Sequence, residues 1–194
     1  MEFEELTLEV LVEQIQSTNH DARAAARDAA GQVGAPAIAP LAEIAVDGEF
    51  EIARAANRAM QNVVYHAGRP GAADEAAAVA AELIKLISDE PPLQFRRDVL
   101  WMTWQIAGAE AVDPVAALLQ HEQLREDAVM CLEGLPVDEA VEALKAGLEA
   151  APEDFQPAVA HALRKRGVEV PDVPDLRLVP TRETEVAPVG RPVT

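Results

Sequence analysis

The side chains best suited to chemistry in this sequence are four histidines and a single cysteine, Cys131. His20, His66, His121 and His161 each lie at least 40 residues from the next, so no two of them share the spacing of paired metal ligands on one helix. The sequence also contains no glycine-rich phosphate loop and no nucleophile-elbow motif. We therefore predict no metal, no cofactor and no catalytic residue.

The charge of the chain limits its partners. Its 194 residues include 34 acidic and only 16 basic side chains, which gives a formal net charge of −18. Proteins that bind nucleic acid need clustered Lys and Arg to replace the counterions of the phosphate backbone. We therefore expect neither nucleic acid nor an anionic membrane surface as a partner. The acidity favours solubility, and it would also suit a basic protein partner.

The N-terminus and the apolar segments indicate a cytoplasmic protein. Three of the first five residues are acidic, where a signal peptide would be basic. No apolar run approaches the roughly 20 residues needed to span a bilayer. A single cysteine cannot form a disulfide within the chain, which fits a reducing compartment.

A repeated pattern of apolar residues organises most of the sequence. The copies begin at Ala22, Ile52, Phe95, Leu124 and, in a degenerate form, Phe155. Apolar residues recur 7, 8 and 11 positions after each start and fall on one stripe of an α-helix. The fifth copy departs from the pattern, because Arg166 stands at the last of these positions. Cys131 takes a position held elsewhere by alanine, which predicts a buried small side chain and not a nucleophile.

A second apolar set follows each of the first four helices. In the first unit it consists of Ile38, Leu41, Ile44 and Ala45, and the same spacing recurs in the other three. Each unit is therefore predicted to be a helix, a short turn and a second helix. Aromatic residues make up only 4% of the chain, and an alanine-rich core suits helices that pack closely. The pattern predicts an all-α solenoid of about four complete helix pairs and a degenerate C-terminal helix.

The two ends of the chain differ from the repeats. Thr7 can cap a helix over residues 7–16 that closes the N-terminal end of the stack. From Val168 the helical period stops and five prolines interrupt the sequence. We expect residues 1–167 to form the repeat domain and residues 168–194 a proline-rich, disordered tail.

These repeats resemble a known family. Residues 22–41 (ARAAARDAAGQVGAPAIAPL) and 111–119 (AVDPVAALL) look like HEAT repeats, and are most similar to the short variety named after phycobilisome lyases. The resemblance covers residues 21–167, and the period near 30 agrees with that variety. The resemblance implies a superhelical fold, and such repeats occur in scaffolds, in regulators and in a few enzymes. Because repeat solenoids form extended surfaces and lack the enclosed pockets that most catalysis requires, we expect a non-enzymatic scaffold or regulatory module that binds a protein partner.

The resemblance leaves two alternatives. One is a lyase or chaperone of the phycobilisome type, which handles a linear tetrapyrrole. The other is a HEAT-type nucleic-acid enzyme, which would need a basic face and is disfavoured by the charge. Neither the partner's identity nor the oligomeric state follows from the sequence.

The second unit is longer than the others. The interval from the start of the first helix to the second apolar set is 16, 28, 17 and 17 residues in the four complete units. About 12 residues are therefore inserted around positions 65–71, and we predict a protruding loop there. Tyr65, His66 and Arg69 would form a site for an anion or a partner's carboxylate. The alternative is an ordinary connector between slightly longer helices.

The third unit carries an unusual outer face. Positions that are mostly polar in the other units hold Arg97, Trp101 and Trp104 here. Two outward tryptophans beside an arginine resemble the hot spot of a protein-binding surface. The alternative is that a neighbouring element covers them.

Overall fold

The computed structural model describes residues 6–87 and 91–175, and every regular element within these ranges is helical. The α-helices are α1 (Leu8–Ile15), α2 (His20–Ala29), α3 (Ile38–Asp47), α4 (Phe50–Ala67), α5 (Ala73–Lys85), α6 (Leu93–Thr103), α7 (Val112–Ala117), α8 (Arg125–Gly134), α9 (Asp138–Ala150) and α10 (Gln156–Lys165). Short 3₁₀ turns flank α2, α3 and α7, at Ala30–Gln32, Ala35–Ala37, Ala109–Ala111 and Leu118–Gln120. The predicted all-α class is confirmed.

The helices stack as the repeat spacing predicts. Four pairs, α2 with α3, α4 with α5, α6 with α7 and α8 with α9, are followed by α10. The first helices form one layer, in which α2 contacts α4 and α8 contacts both α6 and α10. The second helices form the other layer, in which α3 contacts α5 and α7 contacts α9. The chain is therefore an α-solenoid of four complete units.

The N-terminal helix closes one end of the stack, as predicted. The side chain of Thr7 accepts a hydrogen bond from the backbone N–H of Val10 at 3.4 Å and caps α1. Leu11 and Ile15 on α1 are fully buried, and α1 packs against α2 and α4. The apolar side of α1 thus covers core that the first unit would otherwise expose.

A single core built largely of small side chains runs through the stack. It extends from Leu11 to Leu163 without interruption. Ala59, Cys131 and Ala162 occupy the same repeat position in three first helices, and all three are fully buried. Small residues at these positions let neighbouring helices approach closely, so each unit depends on its neighbours for burial.

The extra length of the second unit is mostly helical. The structure therefore shows the alternative, a connector between longer helices, and the protruding loop over residues 65–71 is wrong. Helix α4 has 18 residues, whereas α2 and α8 have 10 each. It continues to Ala67 because Val63, Val64 and Ala67 still bury an apolar stripe in the core. Tyr65 and His66 therefore lie on the last turn of a helix, and residues 68–72 alone connect it to α5.

Polar contacts link each first helix to the next. They are Asn62 to the carbonyl of Arg27 (2.9 Å), Asn57 to Asp98 (2.7 Å), Arg97 to the carbonyl of Gln123 (2.9 Å) and Arg125 to Asp154 (3.1 Å). Each joins residues at least 26 positions apart in the sequence. These contacts fix the register of adjacent units as well as their distance.

Arginines also hold the C-terminal end of the stack. Arg166 donates hydrogen bonds to the carbonyl of Glu133 near the end of α8 (3.0 Å) and to that of Val137 just before α9 (2.9 Å). This role explains why an arginine replaces the apolar residue at that repeat position: it holds the turn between α8 and α9 against α10. Arg164 donates to the carbonyl of Val170 at 2.7 Å and holds residues 168–175 against α10. Residues 176–194 of the predicted tail lie outside the described residues.

The closest approach of two units can be tested at Gly31. A Cβ atom added there would lie 2.5 Å from the Cβ of His66, which is rigidly attached to α4. We expect Gly31→Ala to lower the free energy of unfolding by about 1–3 kcal/mol through overpacking. Urea denaturation of the purified chain measures this change.

Gly147→Ala in α9 is the matched control. Its added Cβ would meet the flexible end of Leu119 at 2.6 Å, and that methyl group can rotate away. Because alanine also favours a helix interior by up to about 1 kcal/mol, we expect little net change. Equal losses in the two variants would contradict the proposed close packing of α4 on the first unit.

Candidate functional site

The end of α4 and the start of α5 bring together the three residues predicted around position 65. Tyr65 and His66 lie on the last turn of α4, and Arg69 lies in the turn that follows. All three are exposed and line the same depression of about 440 Å³, together with Asp28 and Gln32 from the first unit. The predicted residues therefore share one surface, although that surface is built on a helix end and not on a long loop.

The guanidinium of Arg69 is already engaged by the protein. Its two terminal nitrogens contact the two carboxylate oxygens of Glu75 at 2.8 and 2.6 Å, and one of them also donates to the carbonyl of His66 at 2.7 Å. Hydrogen bonding by Arg69 lowers the pKa of Glu75, and the same pair raises the pKa of Arg69. Arg69 thus closes the turn between α4 and α5, so it is not a free cation for an incoming carboxylate.

A second open groove lies on the other side of His66 and Arg69. It has a volume of about 530 Å³ and runs between the turn of the first unit at residues 31–36 and the first half of α5. Its lining combines apolar residues such as Val63 and Val79 with the charged pair Arg69 and Glu75. An open groove of mixed polarity can accept a peptide segment, but it does not enclose a small molecule.

The two tryptophans differ in exposure. Trp101 on α6 is 37% exposed, whereas Trp104 is half-buried. Trp104 lies over Gly134 at the end of α8, where an added Cβ would stand 2.7 Å from the indole ring. A neighbouring helix therefore covers Trp104, which was the alternative for this pair, and Trp101 remains on the surface.

Arg97 anchors the base of this surface. Its Nε lies 3.2 Å from a carboxylate oxygen of Asp127, and a terminal nitrogen donates to the carbonyl of Gln123 at 2.9 Å. Both partners belong to the fourth unit, so Arg97 ties α6 to the segment that begins α8. The three residues predicted here thus differ: Trp101 is exposed, Trp104 is covered by α8, and Arg97 is paired with Asp127.

Large exposed apolar side chains are found on one layer of the solenoid. Apart from Val10 on α1, they are Phe50 (74% exposed), Tyr65 (54%), Trp101 (37%) and Met130 (40%). All four lie on the first helices α4, α6 and α8, and within the described residues none lies on α3, α5, α7 or α9. The sequence analysis missed Phe50 and Met130. Met130 could have been found, because it occupies the same repeat position as Trp101.

Cys131 is buried, as the repeat position predicts. It is fully inaccessible, and burial raises the pKa of its thiol to about 12. The thiol is therefore protonated at neutral pH and is a poor nucleophile. Across residues 6–87 and 91–175, no three His, Cys, Asp or Glu side chains are grouped so that they could hold a metal ion. None of the helices described is long and apolar enough to cross a membrane.

Comparisons with known proteins found a likeness to solved structures. The chain matches no protein-family model and no curated protein sequence. Among solved structures it is similar to a designed armadillo repeat protein in complex with the peptide (KR)4. The TM-score is 0.48 and the identity is 19%, and the match covers 80% of each chain. At this level the likeness extends to the helical-repeat architecture alone, which the ten described helices already show.

The Arg69–Glu75 contact can be tested by titration. Because this pair lowers the pKa of Glu75, the stability it contributes is present above the usual pKa of glutamate and is lost as the pH falls through the lowered value. We expect Arg69→Gln to raise the midpoint of the Glu75 carboxyl, measured by carbon NMR, to the usual range. Arg54→Gln on α4, which removes an arginine that does not contact Glu75, should leave this midpoint unchanged. A Glu75 midpoint that Arg69→Gln does not move would show that the pair does not form in solution.

The different positions of the tryptophans predict different fluorescence. Trp104→Phe leaves Trp101, which should emit at longer wavelength and be quenched readily by acrylamide. Trp101→Phe leaves Trp104, whose contact with Gly134 should shift its emission to the blue and protect it from the quencher. Equal quenching of the two single-tryptophan variants would contradict the conclusion that α8 shields Trp104 from solvent.

Proposed function

We propose that this chain is a non-enzymatic protein-interaction scaffold of the HEAT-like type, and that its partner binds the face formed by the first helices. One observation carries this proposal: the large apolar side chains exposed on the repeats all lie on that layer. Such side chains do not stabilise the fold while they face water. Their restriction to one layer is typical of a protein-binding surface.

Trp101 and Met130 form the centre of the proposed surface. They occupy equivalent positions on α6 and α8, which pack against each other. Tryptophan is the residue that most often dominates binding energy in protein interfaces, and methionine adapts to irregular partner surfaces. The contact of Arg97 with Asp127 lies at the junction of the same two helices and holds them in register. The helices that carry the pair are therefore held in place before a partner binds.

The layer of second helices has a different character. Its exposed residues are small or charged, as in α9, where Glu142 and Lys145 form an ion pair of 2.7 Å on the surface. Pairs of this kind are well hydrated and contribute little to association. This contrast supports the first helices as the binding face and makes α9 a suitable place for control substitutions.

The open shape of the grooves supports a binding role in preference to the enzymatic alternatives. Most catalytic and cofactor sites are enclosed clefts that exclude water. The grooves beside His66, of about 440 and 530 Å³, are instead wide and partly lined by charged side chains. Nothing in their lining favours a linear tetrapyrrole over a peptide, so the scaffold remains the proposal.

The proposal predicts the effect of Trp101→Ala combined with Met130→Ala. Proteins that co-purify with the full chain are quantified by mass spectrometry, and the most enriched one is then purified and titrated by calorimetry. We expect the double variant to bind it roughly 30-fold more weakly, since loss of a hot-spot residue costs about 2 kcal/mol or more. Both substitutions are on the surface, so the melting temperature should stay close to that of the wild type.

Glu142→Ala combined with Lys145→Ala is the control. It removes one acidic and one basic side chain from α9 and leaves the net charge unchanged. We expect it to bind the same purified partner as tightly as the wild type. The proposal fails if this control loses the partner while the Trp101 and Met130 variant retains it.

A further inference from the structure

Four arginines form one basic patch on an otherwise acidic protein. Arg23 and Arg27 stand four residues apart on α2, and Arg54 and Arg58 stand four residues apart on α4. The two helices pack side by side, and all four arginines line one shallow depression of about 30 Å³ together with His20. Four of the 16 basic residues of the chain thus line one depression. We call these four side chains the arginine patch.

The protein positions the arginine patch without neutralising it. The recorded partners are the carbonyl of Ser17 for Arg23 (2.6 Å), Asp28 for Arg27 (2.8 Å) and Glu51 for Arg54 (2.8 Å). Within residues 6–87 and 91–175, no hydrogen bond or ion pair is recorded for Arg58. A guanidinium has five N–H donors, so most donors of the patch remain available. Two carboxylates against four guanidiniums also leave a local excess of positive charge.

This arrangement is unfavourable in the free protein. Like charges four residues apart on a helix repel each other, and the patch contains two such pairs on neighbouring helices. Packing does not require them, because Arg54 and Arg58 are exposed and contribute nothing to the apolar core. A bound anion would remove the repulsion between the guanidiniums and use their free donors.

We propose that the arginine patch binds the phosphoryl group of a phosphorylated peptide segment. A planar guanidinium can donate to two phosphate oxygens at once. Asp28 and Glu51 balance two of the four positive charges of the patch, and a phosphoryl dianion would balance the other two. The shallow depression of about 30 Å³ is lined by guanidinium groups from both helices. A phosphoryl group there can accept hydrogen bonds from α2 and α4 at the same time.

The surroundings of the patch favour a peptide over a nucleic acid or a membrane. Acidic residues lie beside it: Asp28 and Glu51 pair with two of its arginines, and Asp98 on α6 accepts a hydrogen bond from Asn57, which precedes Arg58 in the sequence. At physiological salt a charge is screened beyond about 8 Å, so a single phosphoryl group interacts mainly with the patch. A strand or a bilayer would bring further phosphates against the acidic neighbours and against a chain of net charge −18.

This inference goes beyond the proposed function and does not depend on it. The two surfaces share the layer of first helices, and the guanidinium of Arg54 lies 5.8 Å from the ring of Phe50 on α4. The centre of the proposed protein-binding surface, Trp101 and Met130, lies on α6 and α8, so the Trp101 and Met130 variant leaves the arginine patch intact. Failure at one surface can therefore be distinguished from failure at the other.

The experiment uses the full chain and two libraries of short peptides. One library carries a fixed central phosphoserine between degenerate flanks, and the other carries unmodified serine. We expect the wild type to retain phosphopeptides about tenfold more strongly, since hydrogen bonds to charged groups are strong. Arg54→Gln combined with Arg58→Gln should reduce this retention to the level of the serine library. Arg23→Gln combined with Arg27→Gln tests the same patch from α2 if the first variant does not fold.

The matched control is Lys85→Gln combined with Lys145→Gln. Like the patch variant, it removes two positive charges, but from exposed positions on the second helices α5 and α9. It should retain phosphopeptides as the wild type does. In a separate titration with inorganic phosphate at constant ionic strength, the Nε signals of the arginine patch should shift in NMR spectra, whereas the signal of Arg125 should not.

Several results would overturn the proposal. Equal retention of the two libraries would exclude recognition of the phosphoryl group, and equal losses in the patch and control variants would indicate a general effect of charge. Tighter binding of a single-stranded RNA oligonucleotide or of anionic lipid vesicles, lost with Arg54→Gln and Arg58→Gln, would assign the patch to another class of partner.

Discussion

The structure depends on how closely neighbouring helices can approach each other. Gly31 lies so near the Cβ of His66 that a Cβ atom at position 31 would require a shift of the first unit or of α4. Ala59, Cys131 and Ala162 fill equivalent buried positions in other first helices. Because these side chains are small, each layer of the core is thin, and no unit can bury its own apolar stripe. Stability is therefore shared between neighbours, as is usual in repeat proteins.

Close packing constrains the inner stripe of each first helix and leaves the outer positions free to vary. One outer position shows this freedom, since it holds Asp28, Arg58, Trp101 and Met130 in the four complete units. The fold requires none of these residues there. Differences between units at such positions therefore carry information about binding, whereas the similarities between units reflect packing.

Two sets of basic residues differ in what they do. Arg69, Arg164 and Arg166 donate to backbone carbonyls at turns and helix ends. These contacts satisfy groups that regular helices leave unpaired, so the residues are structural. The arginine patch on α2 and α4 differs, because it places four guanidiniums together and keeps most of their donors free. In a strongly acidic chain that concentration of positive charge is local, and it limits a complementary partner to a small anionic group.

The sequence by itself determined the helical class, the four complete units, the capping helix and the burial of Cys131. These features follow from apolar periodicity, which acts between residues within a few turns of one helix. Tertiary structure alone decided the rest. Counting residues located the extra length of the second unit, but the burial of Val63, Val64 and Ala67 made it helical. Likewise, Trp104 is covered because it packs against Gly134, 30 positions away in the sequence. The periodicity of apolar residues within one helix does not predict such a contact between separate units.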